Sequence, residues 1–140
     1  MERTLILVKP DATKRKLGGA IISRFEGKGL KLVALKMLRM DEKLARRHYA
    51  AHVDKPFFPE LLKYITSGPI IAAVFEGEGA VEISRKTMGA TNPAKADPGT
   101  IRRDFGVDVT QNSVHGSDSP GTAATEIKIF FKESEILNYK

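Results

Sequence analysis

The sequence predicts an α+β fold: a ferredoxin-like split βαβ, in which a four-stranded antiparallel sheet carries its helices on one face. Three observations lead there. Short apolar runs rich in β-branched residues alternate with amphipathic segments, glycines close most of those segments, and the order along the chain is β-α-β, a helical stretch, then β-α-β again.

The first strand is "TLILV", Thr4 to Val8, which runs up to Pro10. A helix follows, because Ile21, Ile22 and Phe25 share one face and Gly27 and Gly29 stop it. "KLVALKML", Lys31 to Leu38, is the second strand. "DEKLARRHYAAH", Asp41 to His52, opens with an acidic cap and holds no breaker, so it is predicted helical throughout. "PELLKYITSG" gives a short helix that ends at Gly68. "PIIAAVFEG", Pro69 to Gly77, is nearly all apolar and reads as the third, central strand. "GAVEISRKTMG" is a helix closed by Gly89.

Residues 90–112 break the pattern, with two prolines, two glycines and no sustained period. Structureless stretches of that length inside a compact domain are functional or disordered, and Ile101, Phe105, Val107 and Val109 favour an ordered one. A short strand at Ser113 to His115 comes next. The last helix holds Ala123, Ala124, Ile127, Phe130 and Phe131.

Composition narrows the function classes. A chain of 140 residues, 41% hydrophobic, suits one domain over residues 1–140 with a single core. The longest wholly apolar run is six residues against the ~20 a membrane helix needs, and the N-terminus carries no secretory signal. Zero cysteines exclude disulfides and thiolate chemistry. A soluble, cytoplasmic protein is expected. The net charge of +6 favours anionic partners such as nucleotides or nucleic acid without choosing among them.

There are three histidines. His48 and His52 lie four apart on a predicted helix, the right spacing for a metal. Tyr49 rather than Glu follows His48, however, and no third ligand is evident, so no metal site is assigned. His115 stands where an apolar stretch meets a glycine turn, and from spacing alone it is as well a structural histidine as a reagent. Neither GxxxxGK[ST] nor GxGxxG occurs, so any nucleotide must be held by other means.

The stretches "LVKPDA", "HYAAHVDKPFFPEL", "YITSGP", "MGATNPAKADPGTIRRDFG" and "NSVHGSDS" resemble, in order and spacing, the nucleoside diphosphate kinase family over essentially the whole chain. The resemblance implies transfer of a γ-phosphoryl group from a nucleoside triphosphate to a diphosphate, by a ping-pong route through a phosphohistidine at His115. It implies Glu126 and Ser117 as the pair supporting that ring and Tyr49 as its neighbour. Lys9, Arg85, Arg102 and Thr91 match phosphate-contacting positions, and an arginine pair can grip phosphate oxygens without a glycine-rich cradle. Phe57, Leu61 and Val109 match the slot for the base, with broad base specificity expected because every base has a π-face. Asn112 and Lys9 match the sugar contacts.

Magnesium is expected to arrive on the phosphates, with Asp118 touching it at most through water and no direct protein ligand. The family implies a symmetric homo-oligomer, hexamer or tetramer. Ala12 and Lys16 stand where glycine is frequent, Lys95 replaces a common glutamate and Arg103 a common small residue. The rival reading is a non-enzymatic nucleic-acid-binding module on the same sheet plan, though the aromatic RNP1 signature is absent. A purely structural role is the third. Nucleic-acid binding remains a possible secondary activity.

Overall fold

The computed structural model describes all 140 residues. Strands β1 (Glu2–Val8), β2 (Lys31–Arg39), β3 (Pro69–Gly77) and β4 (Val114–Gly116) form one sheet in the order β2-β3-β1-β4, every neighbouring pair antiparallel. The helices are α1 (Pro10–Lys14), α2 (Gly18–Glu26), α3 (Glu42–His48), α4 (Phe58–Ile65), α5 (Ala80–Met88), α6 (Ile101–Phe105) and α7 (Pro120–Phe130). No helix is long and apolar enough to cross a membrane.

The expectation of helices on one face is corrected: they cover both. Leu5 and Leu7 of β1 pack with Ala45, Phe58, Ile65 and Ile127, from α3, α4 and α7. The alternate residues Ile6 and Val8 pack with Ile21, Phe25, Ala80 and Ile101, from α2, α5 and α6. The reason lies in the strand itself. Thr4 to Val8 are all fully buried, and a strand covered on both sides loses the apolar-polar alternation of a half-exposed one. Phe25 and Phe75 seal the second layer, their rings 5.2 Å apart, and truncating a ring so buried costs about 3–5 kcal/mol.

Two predicted boundaries shift for local reasons. The helix predicted from Asp41 to His52 starts as expected, with Asp41 accepting from the Leu44 amide at 2.7 Å, but ends at His48. Tyr49 leaves helical geometry (φ −98°, ψ 29°) and a 3-10 turn covers Ala50–His52, so the Tyr49 side chain turns inward. The last strand begins one residue late because Ser113 takes φ 75°, a left-handed value that no strand accommodates. Lys16 likewise holds φ 62°, a strain of about 1–2 kcal/mol for a residue with a Cβ.

The long segment 90–112 is ordered and contains α6, which the sequence did not reveal. Its N-cap is Thr100, whose hydroxyl accepts from the Arg103 amide, and five residues are too few to show a period. Arg24 of α2 holds the segment down through the Gly99 carbonyl (3.1 Å) and the Asp104 carboxylate (2.7 Å). Gly89, at φ 86°, turns the chain into it. A Cβ there would lie 2.5 Å from Thr100 Oγ1, so both conformation and space require glycine.

Candidate active site

β4 places His115 opposite Leu7 of β1, and α7, capped by Ser119 through the Thr122 amide, returns Glu126 beneath it. His115 Nε2 lies 3.2 Å from both Glu126 carboxylate oxygens. Ser117 Oγ donates to Glu126 Oε1 at 2.6 Å and accepts from the Leu5 amide at 3.3 Å, tying the group to the central strand. Burial alone would push the Glu126 carboxyl up. The hydrogen bond and charge of His115, then Ser117 and His48, outweigh it and hold the group below the usual carboxylate range. No hydrogen bond engages His115 Nδ1.

His48 is the member of this group that sequence reasoning missed. Its side chain is 1% exposed, its ring stands edge-on to His115 with centroids 4.8 Å apart, and its Nδ1 lies 3.9 Å from Glu126 Oε2. Neither ring nitrogen has a hydrogen-bond partner. Burial, then His115, push its pKa down to about 3 against the opposing charge of Glu126, so the ring is neutral at physiological pH. Spacing had weighed His48 with His52. In the fold His52 packs toward Phe57, at 5.7 Å between rings, while His48 joins residues about 67 and 78 positions away. Tyr49 beside it has a buried hydroxyl with no hydrogen bond, and burial followed by the Glu126 charge keeps that phenol protonated.

A cationic group faces the same cleft. Lys9, 8% exposed just after β1, donates from Nζ to Asn112 Oδ1 at 2.9 Å. Burial, then the Arg102 charge, push it down to about 8, with Asp11 opposing. Arg102 on α6 anchors Nη1 on the Gly89 carbonyl and Nη2 on the Val114 carbonyl, both at 3.0 Å, and its buried Nε has no partner. Burial, then Arg85, lower it to about 10 against Asp118. Arg85 on α5 reaches the Asp118 carbonyl at 3.4 Å. None of the three forms an ion pair with a carboxylate. Clustered cations, with Arg102 depressing Lys9 and Arg85 depressing Arg102 and none ion-paired to a carboxylate, are complementary to a multiply charged anion.

Beyond Asn112 the cleft becomes more apolar and exposed. Asn112 donates from Nδ2 to the Thr91 and Val109 carbonyls, both at 3.1 Å, which fastens two loop segments together. Phe57 and Leu61 on the α4 side and Val109 opposite leave apolar surface in the opening. Of the twelve residues singled out from the sequence, all but Ser117 line this one cleft, and Ser117 lies behind Glu126.

A histidine with one ring nitrogen unpartnered, beside cations that form no ion pair, is a site fit for the phosphates that a phosphotransferase handles. A family model described as Nucleoside diphosphate kinase matches residues 2–136, and the chain belongs to that family. A nucleoside diphosphate kinase of Dehalococcoides mccartyi is 60% identical over 139 residues, covering 99% of this chain and 98% of that one. One from Carboxydothermus hydrogenoformans is 56% identical over 100% of this chain and 94% of its own. Among solved structures, the Halobacterium salinarum nucleoside diphosphate kinase in complex with CDP superposes with a TM-score of 0.96 at 49% identity, covering 99% of this chain and 93% of that one. The Aquifex aeolicus enzyme superposes with a TM-score of 0.94 at 43% identity, over 97% and 99%.

Proposed function

We propose that residues 1–140 act as one nucleoside diphosphate kinase domain that carries the γ-phosphoryl group on His115 in a ping-pong cycle, with broad base specificity. The observation that carries this is the bracing of His115: Nε2 is committed to the Glu126 carboxylate, leaving Nδ1 with its lone pair as the nucleophile. Nδ1 bonds to the γ-phosphorus as the bond to the β-γ bridging oxygen breaks, and the diphosphate leaves with that oxygen. A second diphosphate reverses the step with its own terminal oxygen. Charge gained by the ring is shared through Nε2–H with Glu126, which Ser117 holds in place.

Lys9, Arg85, Arg102 and Thr91 bind the phosphate oxygens, with the guanidinium of Arg102 held in place by the Gly89 and Val114 carbonyls. Tyr49, kept protonated, offers a hydroxyl donor beside the ring. The base rests between Phe57, Leu61 and Val109, and the sugar against Lys9 and Asn112. The CDP held by the Halobacterium salinarum relative supports a nucleotide in this cleft.

Magnesium fits as an ion delivered by the substrate. Asp118 lies near enough for its charge to act on Arg102, and one carboxylate among three cations suits an ion that keeps phosphate and water ligands. When bound, it neutralises charge on the phosphate oxygens. A cytoplasmic homo-oligomer, hexamer or tetramer, is part of the same proposal. The edge strand β2 exposes Leu35 (53%) and Met37 (62%), apolar surface that a second copy can cover.

The test is incubation with γ-labelled ATP and magnesium without acceptor. Acid-labile, base-stable label is expected on the parent and absent from His115→Ala, and any nucleoside diphosphate is expected to discharge it. A folded, nucleotide-binding parent that takes up no label would falsify the phosphohistidine route.

A further inference from the structure

His48 has no evident task in phosphoryl transfer, yet it is a neutral imidazole, its side chain almost wholly buried, with both nitrogens unpartnered. Leaving such atoms without hydrogen bonds is costly, and one of them, Nδ1, lies 3.9 Å from the Glu126 carboxylate within a cluster of metal donors. One donor atom from each of His48, His115 and Glu126 lies within 4.8 Å of the other two. The carboxylate oxygen Glu126 Oε2 is 3.2 Å from His115 Nε2 and 3.9 Å from His48 Nδ1. Tetrahedral zinc, with bonds of about 2.0–2.2 Å, sets its donor atoms roughly 3.3–3.5 Å apart, so small side-chain shifts close this trio around an ion. Two imidazoles and one carboxylate, with a fourth position toward the cleft, is a zinc set rather than a magnesium one.

We propose that His48, His115 and Glu126 bind one Zn2+ ion, and that this ion and a phosphoryl group exclude each other on His115. The reason is the tautomer. With Glu126 accepting from Nε2–H, Nδ1 keeps its lone pair. Zinc on Nε2 takes that nitrogen's lone pair, and the single proton of the neutral ring moves through solvent to Nδ1. Nδ1 is then blocked for attack, while phosphorylation at Nδ1 leaves the proton on Nε2 and shuts out the metal. Glu126 exchanges a hydrogen bond for a metal bond, and Ser117 still holds its other oxygen. The coupling is reciprocal by linkage. The exclusion rests on the phosphohistidine reading above, whereas the metal site does not.

Equilibrium dialysis and calorimetry with ZnCl2 alone, on the full chain in a non-chelating buffer, test both halves. One Zn2+ per chain is expected on the parent and on His52→Ala. His48→Phe, with its fold checked by circular dichroism, is expected to bind more than about 100-fold more weakly, since even outer-sphere losses cost 10–100-fold. If His48→Phe does not fold, Glu126→Gln takes its place with the same expected loss. Protein first phosphorylated with ATP is expected to bind no zinc at this site, and zinc-loaded protein to take up no label until a chelator is added. A parent that binds no zinc, or zinc bound undiminished by folded His48→Phe or Glu126→Gln, overturns the site. Zinc bound by the trio of a protein that takes no label even when metal-free leaves the site standing and removes the phosphoryl-carrier reading instead. Label and zinc held together on one chain overturn the exclusion.

Discussion

At the inner end of the cleft the polar groups are held by one another. Glu126 binds His115 and Ser117, Lys9 binds Asn112, and Arg102 is pinned to two backbone carbonyls. At the outer end Phe57 is 51% and Val109 57% exposed, and neither offers a side-chain hydrogen bond that could read a base. The difference matches what the proposed function asks of each end. Phosphoryl transfer has one geometry and a fixed distribution of developing charge, so donors placed before the reaction act at full strength in a desolvated site. Bases differ in their hydrogen-bonding edges but share a flat face, so an apolar opening suits the broad base specificity proposed above.

The largest break in this contrast is expected at the inner end. Arg102→Gln removes a prepositioned cation and is expected to lower kcat/KM by about 10²–10³-fold, equally for every nucleoside diphosphate. Steady-state rates with purine and pyrimidine substrates check it, and a base-dependent loss contradicts the division of labour.

Lys9 gives a smaller, pH-dependent effect. Its pKa in the folded protein is about 8, below the 10.5 of an unfolded lysine, so between those values the unfolded chain binds more protons and stability rises with pH. Nucleotide affinity runs the other way. As pH rises through about 8 the phosphate loses a cation, and KM is expected to climb by up to about tenfold per pH unit, the limit for one coupled proton. Lys9→Met is expected to flatten both slopes, read by denaturant titration and by KM from pH 7 to 10.

The smallest effect belongs to the outer end. Phe57→Ala is expected to raise KM about fivefold, near the low limit of base stacking because half the ring is in solvent. Calorimetry with several diphosphates checks the factor. A change confined to one base shows that the opening reads base identity after all.

Much of this was legible in the sequence because it is local. The acidic cap at Asp41, the glycine stop at Gly89 and the unbroken "PIIAAVF" each depend on a few neighbouring residues. The same unbroken run also held the information that both faces of the sheet are covered, and taking the helices to lie on one face overlooked it. Helix α6 escaped because it has five residues and its cap, Thr100, sits among prolines and glycines that read as loop. The cleft residues were legible by resemblance, which supplies positions without geometry.

His48 shows where that ends. Spacing along the chain offered His52 as its companion, and only the crossing of α3 over β4 and α7 put it against His115 and Glu126. The sequence by itself determined the four strands, the longer helices and the inventory of cations and histidines, since these follow from propensity, periodicity and composition. Tertiary structure alone decided the ring nitrogen left free on His115, the depression of Lys9 by burial and the Arg102 charge, and the desolvated state of His48. Those are properties of pairs far apart in sequence and adjacent in space, and the strength of a charge or hydrogen bond there is set by the low-dielectric surroundings that only the packed fold creates.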